Sequence, residues 1–271
     1  MAVTLWQRLG GFVYTGENLS DATLANFAAA GGFWLCPVIY GDDVAGPWNL
    51  ANLDSLRARA LSHGVSIVGA WCNCFGGDPQ ADARNVAQLA TEHNLPLVIL
   101  DLEAAYQYPQ GNANLMPELV KALRDLLPHH ALAVSTNGLN ASMVWNGRTL
   151  TPRASFAKLG IRVLPQWYSG PGYWGCWTDA LCNTDWLRRN GASDPNFADP
   201  TAPRGYGVPL SYVHGTLEAT GVEGSSLAAE LSKVQAAVVS GYTYGLSLYT
   251  LERTPDSDFD LLRSVRNRLY K

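Results

Sequence analysis

Two carboxylates that stand close together dominate the chemistry that this sequence offers. The apolar run 97–100 leads directly into Asp101-Leu102-Glu103. In a β-strand, alternate side chains share a face, so Asp101 and Glu103 are predicted to point the same way and Leu102 the opposite way. Two carboxyl groups so close cannot both ionise freely, so one is expected to keep its proton to a higher pH. Such a carboxyl can protonate a glycosidic oxygen near neutral pH.

The two acids are predicted to have different roles. Glu103 lies further along the chain toward solvent and is the predicted general acid, whereas Asp101 is predicted to orient Glu103 or to hold the substrate. A purely structural interpretation is also open. In that case Asp101 binds loop amides at the end of the strand, and Glu103 pairs with Arg253 or another cation.

A glycosidase that works through two carboxylates needs a second acid across the scissile bond. Glu252, which follows the last predicted strand, is the best-placed candidate; other acids near predicted strand ends are Glu17, Asp42, Asp43 and Glu218. An alternative needs no second protein carboxylate. A substrate N-acetyl group can act as nucleophile if Asp101 orients it and Tyr168 donates a hydrogen bond to it.

Aromatic and hydrogen-bonding residues follow nearly every predicted strand. Aromatic rings stack on the apolar faces of sugars, while amides, hydroxyls and carboxylates bind sugar hydroxyls, so this mixture favours a carbohydrate site over a merely polar surface. The residues predicted to bind substrate are Tyr40, Trp71, Asn137, Gln166, Trp167, Tyr168, Tyr212 and Tyr249. His214 could act as a base, but a lone histidine is more often a hydrogen-bonded structural residue.

These residues need a framework that brings strand ends together. Amphipathic helical patterns alternate with eight β-rich runs, predicted at Gly11–Tyr14, Phe33–Ile39, Val65–Trp71, Leu97–Asp101, Ala131–Ser135, Ile161–Pro165, Pro209–Val213 and Leu246–Thr250. The runs are almost continuously apolar, as expected of parallel strands covered by helices. The prediction is an α/β fold, a single (β/α)8 barrel (TIM barrel) over residues 1–271 with an extended loop after strand six. Barrel enzymes place their sites at the carboxyl ends of the strands.

Composition and motifs exclude several other classes. The net charge is −4 and no basic run is present, which argues against a nucleic-acid partner. The apolar stretches are too short to span a membrane, and the amino-terminal sequence does not resemble a signal peptide. We therefore expect a cytoplasmic protein, or one that is virion-associated or released without a Sec signal. No glycine-rich phosphate-binding motif directly follows a predicted strand, and the sequence has no G-x-S-x-G motif.

The cysteines and histidines do not have the spacing of a metal site, so neither a metal nor another cofactor is expected. Cys176 and Cys182 lie six residues apart and could form a small disulfide. Three further cysteines, at positions 36, 72 and 74, are expected to be buried or free thiols.

Strand four with its terminal Asp101-Leu102-Glu103 resembles the phage and bacterial glycoside hydrolase family 25 lysozymes and, more weakly, the end of the family 18 chitinase-type motif. The segment 164–168, Leu-Pro-Gln-Trp-Tyr, is similar to strand six of these barrels, where an aromatic residue lines the catalytic subsite. The resemblance implies that Glu103 is the acid. The chain differs in having Leu97 and Ile99 where family 18 has further acids. Its segment 11–14, Gly-Phe-Val-Tyr, lacks the first-strand aspartate of family 25.

The leading hypothesis is a lysozyme-like glycosidase that acts on a polysaccharide, either cell-wall peptidoglycan or another N-acetylhexosamine polymer. The alternative is an inactive glycosidase-like barrel that binds carbohydrate or serves as a structural protein of a virion or cell surface, with virion proteins as its assembly partners. A metal-dependent hydrolase or lyase is a third hypothesis, which the missing histidine ligands disfavour.

Overall fold

Eight parallel strands close into a barrel in the computed structural model of the chain. The structure describes residues 5–41, 45–74, 77–102, 115–137, 144–145, 148–149, 159–166, 168, 213–232 and 245–269. The described strands are β1 (Leu9–Val13), β2 (Gly32–Tyr40), β3 (Ser66–Ile67), β4 (Gly69–Cys74), β5 (Leu97–Leu102), β6 (Ala131–Asn137), β7 (Val144–Trp145), β8 (Arg148–Thr149), β9 (Arg162–Gln166), β10 (Gly215–Glu218) and β11 (Leu246–Tyr249).

The order of the strands closes the sheet on itself. The pairing runs β1–β2–β4–β5–β6–β9–β10–β11, and β11 pairs in parallel with β1. The short β3 extends the third barrel strand beside β2, and β7 and β8 form a separate antiparallel pair. The predicted (β/α)8 barrel is therefore confirmed.

The helices cover the outside of the barrel between successive strands. They are α1 (Asp21–Ala29), α2 (Ala45–Ala51), α3 (Leu53–Ser62), α4 (Pro79–Glu92), α5 (Leu115–Leu126) and α6 (Asp256–Leu269), and residues 227–232 are also helical. Side chains cap the first turns of α1 and α4. The Ser20 hydroxyl accepts a hydrogen bond from the Thr23 amide, and the Asp78 carboxylate accepts from the amides of Gln80 and Ala81. No helix in the described ranges is long and apolar enough to cross a membrane.

The seventh strand was predicted in the wrong place. The prediction was Pro209–Val213, whereas β10 spans Gly215–Glu218 and Val213 forms only an isolated bridge to Val163. Residues 209–212 lie outside the described residues. The physical reason is that β10 carries polar residues on its inward face, with Thr216 hydrogen-bonded to Ser247 across the barrel wall. An apolar run was therefore the wrong signal for this strand.

Two apolar layers fix which way each strand residue points. An inner cluster fills the barrel and an outer cluster lies between strands and helices. On β5, Leu97 and Ile99 belong to the inner cluster, and Val98 and Leu100 to the outer one. This alternation continues to Asp101, which therefore lies on the inward face at the carboxyl end of the strand.

His214 lies at the opposite, amino-terminal end of the barrel, not at the mouth where the misplaced strand would have put it. Its Nδ1–H donates to the Trp6 carbonyl oxygen at 3.1 Å, and its ring packs 5.7 Å from Trp6 and 5.6 Å from Trp34. Complete burial lowers the pKa of His214 from 6.5 to about 4. The structural interpretation of this histidine is thus favoured over a catalytic one.

This burial predicts an acid-sensitive stability. The unfolded chain takes up a proton on His214 below pH 6.5, whereas the folded chain resists protonation down to about pH 4. The free energy of unfolding should therefore fall by roughly 3 kcal/mol between these pH values because of this residue. Urea unfolding at pH 7, 5.5 and 4 measures it, and His214→Asn should flatten the dependence. The exposed His129→Asn is the control; equal pH dependence in both variants would contradict the prediction.

Candidate active site

Asp101 is the centre of the candidate site, at the carboxyl end of the fourth barrel strand. Its side chain is only 5% exposed. The indole Nε1–H of Trp71 donates to its Oδ2 at 3.1 Å, and the amide Nε2–H of Gln166 donates to its Oδ1 at 3.4 Å. Gln166 Nε2 also donates to the Ser135 hydroxyl at 3.2 Å. Four neighbouring strands, β4, β5, β6 and β9, thus supply one connected group of polar side chains.

Aromatic rings lie beside this group. The rings of Tyr168 and Tyr249 stack with centroids 5.7 Å apart at an angle of 19°, and Tyr249 meets Trp71 edge to face at 5.3 Å. Tyr14 packs 6.3 Å from Trp71 on the other side. Tyr168 and Trp71 are buried, while Tyr14 and Tyr249 are half-buried and so remain partly accessible to solvent. The accessible surface is of the kind that contacts the apolar face of a sugar.

Glu252, the predicted second carboxylate, joins the ends of the last and first strands. Its Oε1 accepts from the Thr15 amide at 2.9 Å and its Oε2 from the Tyr14 amide at 3.3 Å. Burial raises the pKa of Glu252 above its usual value, and the backbone amides oppose that rise. Both oxygens are thus occupied in holding the loop after β1.

Tyr40 does not join the site. Its hydroxyl donates to the Asp82 carboxylate on α4 at 2.7 Å, and Asn85 donates to the same hydroxyl at 3.3 Å. Burial, together with the bond to Asp82, raises the pKa of Tyr40 to about 12. The side chain packs against the outer apolar cluster, between the barrel and α4. The structure thus places the Tyr40 side chain in contact with α4 and does not bring it to the group around Asp101.

The remaining predicted residues are only partly placed. Glu103, Trp167 and Tyr212 lie outside the described residues. Asn137 is the last residue of β6, in register with Gln166 of β9. The predicted disulfide between Cys176 and Cys182 also lies outside the described part of the chain, while Cys36, Cys72 and Cys74 are buried free thiols.

Three further polar residues lie near the site, and one of them, Glu218, was named above as an alternative acid. Ser135 bonds Gln166 as described above. Asn73, the penultimate residue of β4, is in register with Asp101 and 7% exposed, and its Oδ1 has no hydrogen-bond partner among the described residues. Glu218 ends β10, fully buried, and its carboxylate accepts from the Ser225 hydroxyl. A polar residue at an inward position near the end of a strand is the sequence signal that these three residues share.

Metal ligation finds no support in the described ranges. They contain no group of three or more histidine, cysteine or acidic side chains arranged to hold an ion. Burial also raises the pKa of the Cys36, Cys72 and Cys74 thiols far above their usual value, so these groups stay protonated and are poor ligands.

No protein-family model and no curated protein matches the sequence, but solved structures match the fold over nearly its full length. A family 18 chitinase from Pseudoalteromonas aurantia has a TM-score of 0.64 and 13% identity, covering 97% of this chain and 100% of its own. Active domain 2 of a Pyrococcus furiosus chitinase has a TM-score of 0.63 and 13% identity, covering 99% and 98%. A Cycas revoluta family 18 chitinase, solved with (GlcNAc)3, has a TM-score of 0.59 and 13% identity, covering 95% and 98%.

These three neighbours are chitinases, so the sequence resemblance to family 25 lysozymes finds no support among them. At 13% identity the likeness shows the fold alone. The chain is a (β/α)8 barrel of the architecture found in family 18 chitinases, with a buried carboxylate, Asp101, at the end of its fourth barrel strand.

Proposed function

We propose that the chain hydrolyses glycosidic bonds of a chitin-like N-acetylhexosamine polymer, with Glu103 as general acid and Asp101 as the residue that orients the reacting group. The observation that carries the proposal is the position of Asp101. Its carboxylate is fixed by Trp71 and Gln166 at the carboxyl end of the fourth barrel strand, where barrel enzymes have their sites. Aromatic rings border it, as a sugar site requires.

The occupied carboxylate of Glu252 favours the substrate-assisted mechanism over the two-carboxylate one. In this mechanism Glu103 gives its proton to the glycosidic oxygen as the bond from that oxygen to C1 breaks. The acetamido oxygen of the substrate forms a bond to C1 in its place. Asp101 accepts a hydrogen bond from the acetamido N–H, and the Tyr168 hydroxyl donates one to the acetamido oxygen. Water then attacks C1 and loses its proton to Glu103, while the bond from C1 to the acetamido oxygen breaks and the acetamido group is restored.

A sugar-binding barrel without turnover is the second candidate. The observation that favours it is the inward face of β5 below Asp101, where Leu97 and Ile99 are fully packed in the inner apolar cluster. The resemblance to family 18 leads one to expect acidic residues there. The apolar residues at these positions are compatible with a barrel that binds sugar at the carboxyl ends of its strands but does not catalyse hydrolysis.

The proposal is tested by incubating the purified chain with N-acetyl chitooligosaccharides of defined length and separately with peptidoglycan. Products are separated by chromatography and identified by mass, and their first-formed anomer is read by proton NMR. Retention of configuration is expected, since two displacements occur at C1. Fully deacetylated oligosaccharides are the matched control, because they lack the acetamido nucleophile. Saturable binding of the acetylated sugars without any product would instead support the second candidate.

A further inference from the structure

We infer that Trp71 and Gln166 are positioning residues that act through Asp101, each donating one N–H to a different oxygen of its carboxylate. The inference rests on the proposed function for its kinetic consequence, since Asp101 is there the group that orients the substrate. Its structural basis is independent of that function: Oδ2 is held by the indole at 3.1 Å and Oδ1 by the amide at 3.4 Å. Trp71 was predicted to contact sugar. We infer instead that it orients Asp101 through its indole N–H.

The indole of Trp71 is immobilised on several sides. Phe12 meets its ring edge-on at 5.4 Å and Tyr249 does so at 5.3 Å, and the side chain is 5% exposed. A ring so enclosed offers no free face for a sugar. It does hold its N–H at a fixed place, and a fixed donor orients the acceptor that it binds.

Gln166 supports the other oxygen from the neighbouring side. Its side-chain nitrogen carries two hydrogens, so it can donate to Asp101 and to the Ser135 hydroxyl at the same time. The residue is 9% exposed. Because the amide is anchored on Ser135, it cannot turn away from Asp101 without breaking a second hydrogen bond.

Neutral donors favour the charged form of the carboxyl group that they bind. The inward-facing residues that precede Asp101 on β5 are the apolar Leu97 and Ile99. Asp101 therefore has no acidic neighbour among these preceding residues with which to share a proton. The Cys74 thiol lies within electrostatic reach of Asp101, but burial raises the pKa of this thiol well above its usual value and keeps it neutral. Trp71 and Gln166 thus fix the orientation of the Asp101 carboxylate from two sides.

The first test needs no substrate. The side-chain carboxyl carbon of Asp101 is followed by carbon-13 NMR from pH 2 to 8, with its resonance assigned by its loss in Asp101→Asn. In Trp71→Phe and in Gln166→Met one donor to the anion is removed while most of the packing is kept. The titration midpoint of Asp101 should move to higher pH by about one unit in each variant.

Trp34→Phe is the matched control. Trp34 is also a buried tryptophan whose indole N–H is hydrogen-bonded, but it donates to the Leu5 carbonyl oxygen, away from Asp101. This variant should unfold more easily and leave the Asp101 midpoint where it is in the wild-type chain. Circular dichroism confirms that each variant is folded before it is titrated.

The second test is kinetic. Trp71→Phe should lower kcat by about ten-fold with little change in KM. In an Asp101→Asn background the same change should cost little more, because the two residues act as one unit. A midpoint that stays unmoved in both folded donor variants overturns the inference. If the midpoints move but the wild-type chain cleaves no substrate, the proposed function fails and the positioning of Asp101 stands.

Discussion

Replacing Glu103 by glutamine is expected to reduce the turnover of N-acetyl chitooligosaccharides by about one hundred-fold or more. Glutamine keeps the size of the side chain and its hydrogen bonding but has no proton to give to the leaving oxygen, and general acids contribute about 10²–10⁴ to such rates. Substrate binding should survive, so KM should change much less than kcat. Steady-state kinetics on a chromogenic chitooligosaccharide measures both constants.

The control for this experiment is Glu118→Gln, which makes the same chemical change on the exposed surface of α5. It should leave kcat and KM at wild-type values. A Glu103→Gln chain that turns over like the control would remove Glu103 as the acid. An aryl glycoside whose leaving group needs no protonation should recover part of the lost rate in Glu103→Gln, which separates loss of the acid from loss of the fold.

Replacing Gly41 by alanine is expected to lower the free energy of unfolding by about 3 kcal/mol or more. Gly41 follows β2 with φ +83°, a left-handed conformation that costs other residues about 1–2 kcal/mol. A Cβ placed there would lie 1.7 Å from the Asn73 carbonyl oxygen, which is backbone and cannot rotate away. The clash adds an overpacking cost of about 1–3 kcal/mol. Urea unfolding followed by circular dichroism gives the difference.

Gly64 provides the matched comparison for this position. Its φ is +75°, so the left-handed conformation destabilises an alanine there by a free energy similar to that at Gly41. No heavy atom, however, lies within 4 Å of the added Cβ. Gly64→Ala should therefore cost only about 1–2 kcal/mol. Equal losses at the two glycines would show that the end of β4 yields to the methyl group, and the predicted clash at Asn73 would then be wrong.

The sequence predicted the fold correctly where helices and strands have simple residue patterns. Strand β5 was predicted because 97–100 is an unbroken apolar run. The start of α4 also has a simple sequence pattern, since the capping residue Asp78 is followed by the first-turn proline Pro79. Strand β10 was missed because its inward face carries polar residues such as Thr216, whereas the prediction searched for a run of apolar residues. The error then carried over to His214, which was assigned to the wrong end of the barrel.

The site was less readable because side-chain direction depends on local irregularity. Strict alternation from Val38, which faces inward, puts Tyr40 inward as well. The pairing of β2 with β4 shifts its register between these two residues, and Tyr40 turns outward to Asp82. Likewise, the sequence predicts that Trp71 and Asp101 lie on adjacent strands. Only the packing of Phe12 and Tyr249 around the indole directs its N–H toward the carboxylate.

The hydrogen bonds from the loop after β1 to the Glu252 carboxylate bear on the order in which the candidate site is completed during synthesis. The hydrogen bond from the Thr15 amide spans 237 positions of sequence, and the pairing of β1 with β11 that accompanies it is just as distant. Neither contact can form before residues 246–252 have been synthesised. The side of the site that Tyr249 and Glu252 complete is therefore the last part of the barrel wall to close.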